Sequence, residues 1–241
     1  QSCPPTPESA TKEPFVIPVK VGLIGAKGAL EFQVSDSKTT REQVLSFNKS
    51  EQTFVFKGVS EKPTPSLLRG LSAPVKLKYP YSQEQLVHLI RTDTDDFNRW
   101  DASQTLCLGV LKQLTQDSLR DRPMALNSQV IDAYRALLTD ESLDPAMVAL
   151  MLQLPSEALL HEEAEIIHAA AIHDARSFVR TALAGSLADQ FMALYQRHNT
   201  QPTYAPDAQQ IGSRSLKNAA LNYLMLVGDT GIKLAWQQFE S

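Results

Sequence analysis

Cysteine is nearly absent, with two residues in 241. Cys3 sits in a Pro-rich opening and Cys107 in a run of helical spacing, so they read as two free thiols rather than the framework of a disulfide-stapled domain. A reducing compartment, hence the cytoplasm, is the expectation. No apolar run approaches the roughly 18 residues of a membrane-spanning helix. The N-terminus has neither the basic nor the apolar region of a secretory signal. An excess of one charge is lacking too: 23 Lys and Arg against 27 Asp and Glu leave a formal net charge of −4. That excludes a strong global attraction to nucleic acid or anionic lipid, and neither is an expected partner.

The familiar catalytic motifs are also missing. The sequence contains no G-x-S-x-G. The stretch 22–28 (Gly-Leu-Ile-Gly-Ala-Lys-Gly) has glycines but not the spacing G-x-x-x-x-G-K-[ST], and it lies between two strand patterns, so it reads as a hairpin turn. The stretch 161–168 (His-Glu-Glu-Ala-Glu-Ile-Ile-His) begins like H-E-x-x-H, but position 165 is Glu. His161 and Glu165 would share a helix face, which reads as a solvated acidic surface rather than two imidazoles on one zinc ion. His88, His168, His173 and His198 are each isolated by type. Cys107 has no local base and lies on an apolar stripe, the setting of a core thiol. The residues therefore nominate no catalytic, metal-binding or substrate-binding side chain. The Phe97–Trp100 pair has no basic stripe beside it and reads as a helix-packing anchor. Asn48-Lys49-Ser50 satisfies a glycosylation sequon, with nothing else to indicate secretion.

What is present is a change of period. Hydrophobic residues make up 43% and charged residues 21%, ordinary values for a chain able to bury a core. Residues 1–14 are Pro-rich and polar, an extended lead-in. From Phe15, apolar residues alternate: Phe15, Ile17, Val19, Val21 and Leu23 on one face, with Pro18 pointing to an edge or irregular strand. A turn at 25–28 and the alternation Leu30, Phe32, Val34 predict a hairpin. Short strands are expected around 44–47, 53–59 and 67–68, and again at Val75, Leu77 and Tyr79. Six or seven such strands predict an immunoglobulin-like β-sandwich over 15–79.

The period then becomes helical. Ser82 and Gln85 form a capping-box pattern ahead of Leu86, Leu89 and Ile90. Phe97 to Leu114 and Val130 to Leu138 carry two more helices. Asp144-Pro145 starts another, and Pro155-Ser156 stops that one and caps the next. Long helices are expected over about 170–197 and 207–227, with a last one starting near Thr230. About eight helices with short connections predict an all-α, solenoid-like array over 80–241. No fixed repeat period is found.

Several stretches together, in order along almost the whole chain, resemble the C-terminal half of bacterial-type aminopeptidase N, a zinc-dependent aminopeptidase family. They are 1–7 leading into 15–21, 51–56 (Glu-Gln-Thr-Phe-Val-Phe), 71–79 (Leu-Ser-Ala-Pro-Val-Lys-Leu-Lys-Tyr), 96–104 (Asp-Phe-Asn-Arg-Trp-Asp-Ala-Ser-Gln) and 144–156. The resemblance implies a small β-sandwich followed by a helical domain that caps an active-site chamber. In the family, H-E-x-x-H with its downstream Glu, G-x-M-E-N and the catalytic Tyr lie in a preceding domain. None of these residues therefore carries over to any position here, and any zinc belongs to that other domain.

The expectation is a non-catalytic segment of a zinc aminopeptidase, truncated within its helical domain, with the sandwich as spacer and the helices as a wall that controls peptide access. Its partners would be the catalytic domain of the same polypeptide, the parent's peptides, and other copies through exposed surface. Gln1 in place of Met, and the stop soon after Phe239, underlie the expectation of a fragment. The competing expectation is an independent module that binds protein or peptide along a concave face.

Overall fold

The computed structural model describes residues 1–35, 37–200 and 203–240 and divides the chain into two compact units, Gln1–Arg99 and Trp100–Ser241. The first unit is organised around β1 (Ile17–Gly25). Antiparallel neighbours flank it: β4 (Glu42–Phe47) along Ile17 to Gly22, β6 (Thr64–Leu67) along Val21 to Ile24, and the short β2 (Gly28–Ala29) at its end. A second small sheet pairs β3 (Gln33–Val34) with β5 (Phe56–Lys57). The alternation read from sequence sets the inward face. Val21, Leu23, Phe32 and Leu45 form a buried cluster, joined by Val19, Leu30, Val34, Phe54, Phe56, Val59 and Leu67.

Pro18 is accommodated because of strand direction. The Lys20 N–H donates to Ser72 Oγ at 2.9 Å, away from β4. Alternation puts the Pro18 nitrogen on that same side, where β4 asks nothing of it. From Val21 on the strand is buried on both faces: Val21 and Leu23 face the apolar cluster, and the Arg69 side chain lies over Gly22.

Two strand expectations change. The strand expected at 67–68 begins earlier, so that Pro65 lies inside β6 opposite Leu23, and its carbonyl accepts from the Tyr81 hydroxyl at 2.7 Å. Val75, Leu77 and Tyr79 do not form a strand, and each is 40% exposed. Pro74 and Pro80 bracket them and cannot donate to a ladder. Alternation without a partner edge or a face to bury gives no sheet.

Helix α1 (Gln83–Thr92) starts with both halves of a capping box in place between Ser82 and Gln85. By compactness α1 falls in the first unit, and the division runs inside α2 (Asp96–Leu119).

The second unit is helical. α3 (Ser128–Thr139), α4 (Pro145–Met151) and α5 (Glu157–Glu162) open on side-chain caps from Asn127, Asp144 and Ser156, each accepting from a backbone N–H in the first turn. α6 (Ala169–Ser186) and α7 (Ala188–His198) occupy the span expected as one helix. The break falls at Leu187, fully buried and out of helical geometry. Gly185 and Ser186 are poor helix formers, so burying Leu187 decides the turn. α8 (Ala208–Leu224), capped by Asp207, packs against α7 and α4, and α9 (Asp229–Glu240) packs back on α8. Phe191 of α7 stacks on Tyr223 of α8, centroids 4.4 Å apart and planes within 8°.

Candidate functional site

The stretch 161–168 is not one helix. α5 ends at Glu162, and α6 begins only after His168. His161 and Glu165 therefore do not share a helix face, and the expected acidic helix surface is replaced by a connection. The residues that follow α5 line a cavity of about 350 Å³. Its walls include Lys112, Glu163, Glu165, His168 and the apolar Leu160 and Ile172. Lys112 Nζ lies 3.1 Å from Glu163 Oε2. Among the described residues no group of three or more His, Cys, Asp or Glu side chains is disposed to hold a metal ion.

The remaining candidates are dispersed. His173 sits 3.0 Å from Glu157 on the surface, and His198 Nδ1 lies 3.0 Å from Ser213 Oγ. Burial, aided by the neighbouring Arg197 charge, holds His198 below its ordinary value. The glycines of 22–28 serve the β1–β2 hairpin, where Gly28 takes φ of 117°, a conformation other residues rarely adopt.

Cys107 is buried, with its sulfur 3.0 Å from the Tyr134 hydroxyl. Burial pushes its thiol up to about 11, while the Tyr134 contact acts the other way. A thiol that is both protonated and inaccessible is a poor nucleophile. We expect dithionitrobenzoate at pH 8 to titrate Cys3 alone in the native protein and both thiols in denaturant. Two equivalents reacting rapidly without denaturant would contradict this placement.

Two constellations escaped sequence reasoning. The first lies within the first unit. Arg69, 4% exposed, donates from Nη1 to Asp93 Oδ1 at 2.8 Å and to Ser66 Oγ at 3.1 Å, and from Nη2 to Thr94 Oγ1 at 2.8 Å. Its Nε stands 3.4 Å from Glu42 Oε2. Hydrogen bonding from Lys20 is the largest of the influences that hold the Glu42 carboxyl below its ordinary value, with Arg69 contributing. Asn98 donates to Ser66 Oγ and to the Leu67 carbonyl. This network sits against Gly22, where a Cβ would come within 2.7 Å of the Arg69 guanidinium.

The second is a groove of about 730 Å³ bounded by α4, α6, α8 and the α4–α5 connection. Ala146, Ala149, Leu150, Leu154 and Ala219 make its apolar lining; Arg176, Arg180, Asn218 and Asn222 supply most of its polar groups. The connecting wall is tied down by three bonds to its backbone carbonyls. Tyr223 Oη donates to Leu152, Gln104 Nε2 to Gln153, and Arg176 Nε to Pro155. The only sequence signal for this site is the i,i+4 spacing of each pair. Helical spacing cannot reveal that the two helices face one cavity.

Comparison with known proteins places both units. Residues 83–241 match the family described as domain of unknown function (DUF3458_C) ARM repeats. Residues 1–80 match the family described as domain of unknown function (DUF3458) Ig-like fold. The chain is 38% identical over 224 residues to aminopeptidase N of Escherichia coli (strain K12), and 32% identical over 224 residues to that of Haemophilus influenzae. Each match covers 93% of this chain and 26% of the relative. The chain thus spans about a quarter of the length of these relatives. A solved structure of Legionella pneumophila aminopeptidase A in complex with aspartic acid aligns with a TM-score of 0.71 at 29% identity. That alignment covers 88% of this chain and 24% of the other.

Proposed function

We propose, for a chain that belongs to the DUF3458 family of Ig-like and ARM-repeat domains, that it is a non-catalytic structural part of a zinc aminopeptidase of the aminopeptidase N type. The observation that carries this reading is the collinear match of both units, at 38% identity over 224 residues. The parent would remove N-terminal residues from peptides with a zinc-activated water held in a separate catalytic domain. The sandwich would act as a spacer and the helices as part of a wall that limits access to short peptides. The parent would work in the cytoplasm. Among the described residues no helix is long and apolar enough to cross a membrane.

The wall reading has a direct check. An enzyme carrying this chain should trim short peptides and spare a folded protein with the same N-terminal residues; equal rates would remove the wall.

A second reading, an independent interaction module, draws on α9. There Ile232, Trp236 and Phe239 are 46%, 61% and 83% exposed. The Trp236 and Phe239 rings pack edge-on against each other, centroids 6.2 Å apart. Such a face suits another copy of the chain.

The purified chain is expected to release no nitroaniline from aminoacyl-nitroanilides and to hold no stoichiometric zinc by elemental analysis. About one zinc per chain with chelator-sensitive hydrolysis would defeat the proposal. Sedimentation velocity of the same sample should show self-association that Trp236→Ser with Phe239→Ser abolishes. A monomer at all concentrations would leave the α9 face to the catalytic domain.

A further inference from the structure

The groove bounded by α4, α6 and α8 carries positive charge that its walls do not neutralise. Arg176 and Arg180 lie one turn apart on α6, and no Asp or Glu is among the lining residues, in a chain whose net charge is −4. Both guanidinium charges act on the same buried phenol, Tyr223, opposing the rise that burial imposes on it. The Arg176 bond to the Pro155 carbonyl uses Nε and leaves its terminal amino groups toward other ligands. Arg180 has no hydrogen bond or ion pair among the described residues. Half-buried cations without a counter-charge are costly, and an oxyanion lying between them offsets that cost.

The rest of the groove is shaped for more than a bare anion. Ser215, Asn218, Ala219 and Asn222 recur at helical spacing on α8, so they form one stripe. Asn218 Oδ1 already accepts from Gln238 Nε2 at 2.8 Å, which leaves its amide N–H groups as donors. An amide side chain both donates and accepts, matching a peptide unit. Asn218 and Asn222 stand about 6 Å apart along the helix axis. Alternate residues of an extended chain repeat every 6.6–6.8 Å or so, close to that spacing. The apolar floor of Ala146, Ala149, Leu154 and Ala219 has room for small side chains.

We propose that this groove binds the C-terminal end of an extended peptide. The terminal carboxylate lies on Arg176 and Arg180, the preceding backbone amides meet Asn222 and Asn218, and small side chains cover the apolar floor. Free phosphate satisfies the arginines but has no use for the amides or the floor. The proposal stands on the groove alone and does not depend on the aminopeptidase reading.

Calorimetric titration of the full chain with acetyl-Ala-Leu-Ala-Leu-Ala as the free acid, as its C-terminal amide, and with inorganic phosphate tests it. The free acid is expected to bind about tenfold or more tighter than the amide, and phosphate more weakly than the free acid. Arg180→Gln should erase the acid–amide difference, Arg180→Lys should retain part of it, and Asn222→Leu should weaken both peptides alike. Equal binding of acid and amide overturns the proposal. So does phosphate binding as tightly as the peptide, or no peptide binding at millimolar concentration. The acid–amide comparison is made on the unaltered chain and is independent of how well any variant folds.

Discussion

Arg69→Met is expected to lower the unfolding free energy by about 3–5 kcal/mol, the usual cost of removing one partner from a buried ion pair. The two side chains are 5% and 0% exposed, so Asp93 left alone has no water to turn to. Its Oδ1 would retain only the Asp95 N–H at 3.1 Å, and its Oδ2 has no hydrogen-bond partner even with Arg69 present. The methionine fills most of the volume, so the loss measures charge and hydrogen bonding more than packing. Arg69→Met combined with Asp93→Leu should be less destabilised than Arg69→Met alone, because no uncompensated charge remains. Urea unfolding of the two variants decides the matter. A loss under about 1 kcal/mol for Arg69→Met, or a double variant less stable than the single, would show that the network is not a closed buried pair.

Phe191→Ala should cost a similar amount, about 3–5 kcal/mol, for a different reason. The ring is fully buried and stacked on Tyr223, so its removal forfeits transfer free energy and leaves a cavity at the junction of α7 and α8. Tyr223→Phe keeps the stack but gives up the hydroxyl's 2.6 Å bond to the Leu152 carbonyl, and about 1–3 kcal/mol is expected for that orphaned acceptor. The two variants separate packing from polar satisfaction at one place. Thermal or urea unfolding of the full chain reads both. If Phe191→Ala loses no more than Tyr223→Phe, the α7–α8 seam relaxes to fill the gap. Tyr223→Phe also loosens one of the three ties on the groove wall, so it should weaken peptide binding there while leaving the acid–amide difference intact.

Much of the architecture was legible because it is written in short-range chemistry. Ser82 with Gln85, Asp144 with Pro145, and Ser156 after Pro155 each place a helix start to within a residue. A cap satisfies its own backbone donors within three positions and needs nothing from the rest of the chain. The alternation from Ile17 to Leu23 likewise names the buried face of β1, since period 2 sends every second side chain to the same side.

Pattern alone misled where a partner had to exist and did not, or existed and was invisible. Val75, Leu77 and Tyr79 alternate as a strand would, but strand geometry is stabilised by ladder bonds to a neighbouring edge, which the segment lacks between its prolines. The span 170–197 keeps helical character throughout, yet the burial of Leu187 divides it. The 161–168 stretch looked like one helix face because nothing local announces that α5 stops at Glu162.

By itself, then, the sequence determined the order of β and α units, most helix starts, the inward face of the central strand, and the absence of familiar catalytic motifs. All of these follow from spacing, capping and composition within a few residues. Only the tertiary structure decided which distant polar groups meet. Arg69 and Asp93 are 24 positions apart. Arg180 and Asn222 lie on different helices, and Tyr223 reaches a carbonyl 71 positions away. Such pairings depend on how helices and strands dock. Docking is set by the summed burial of many side chains, a quantity no local pattern contains.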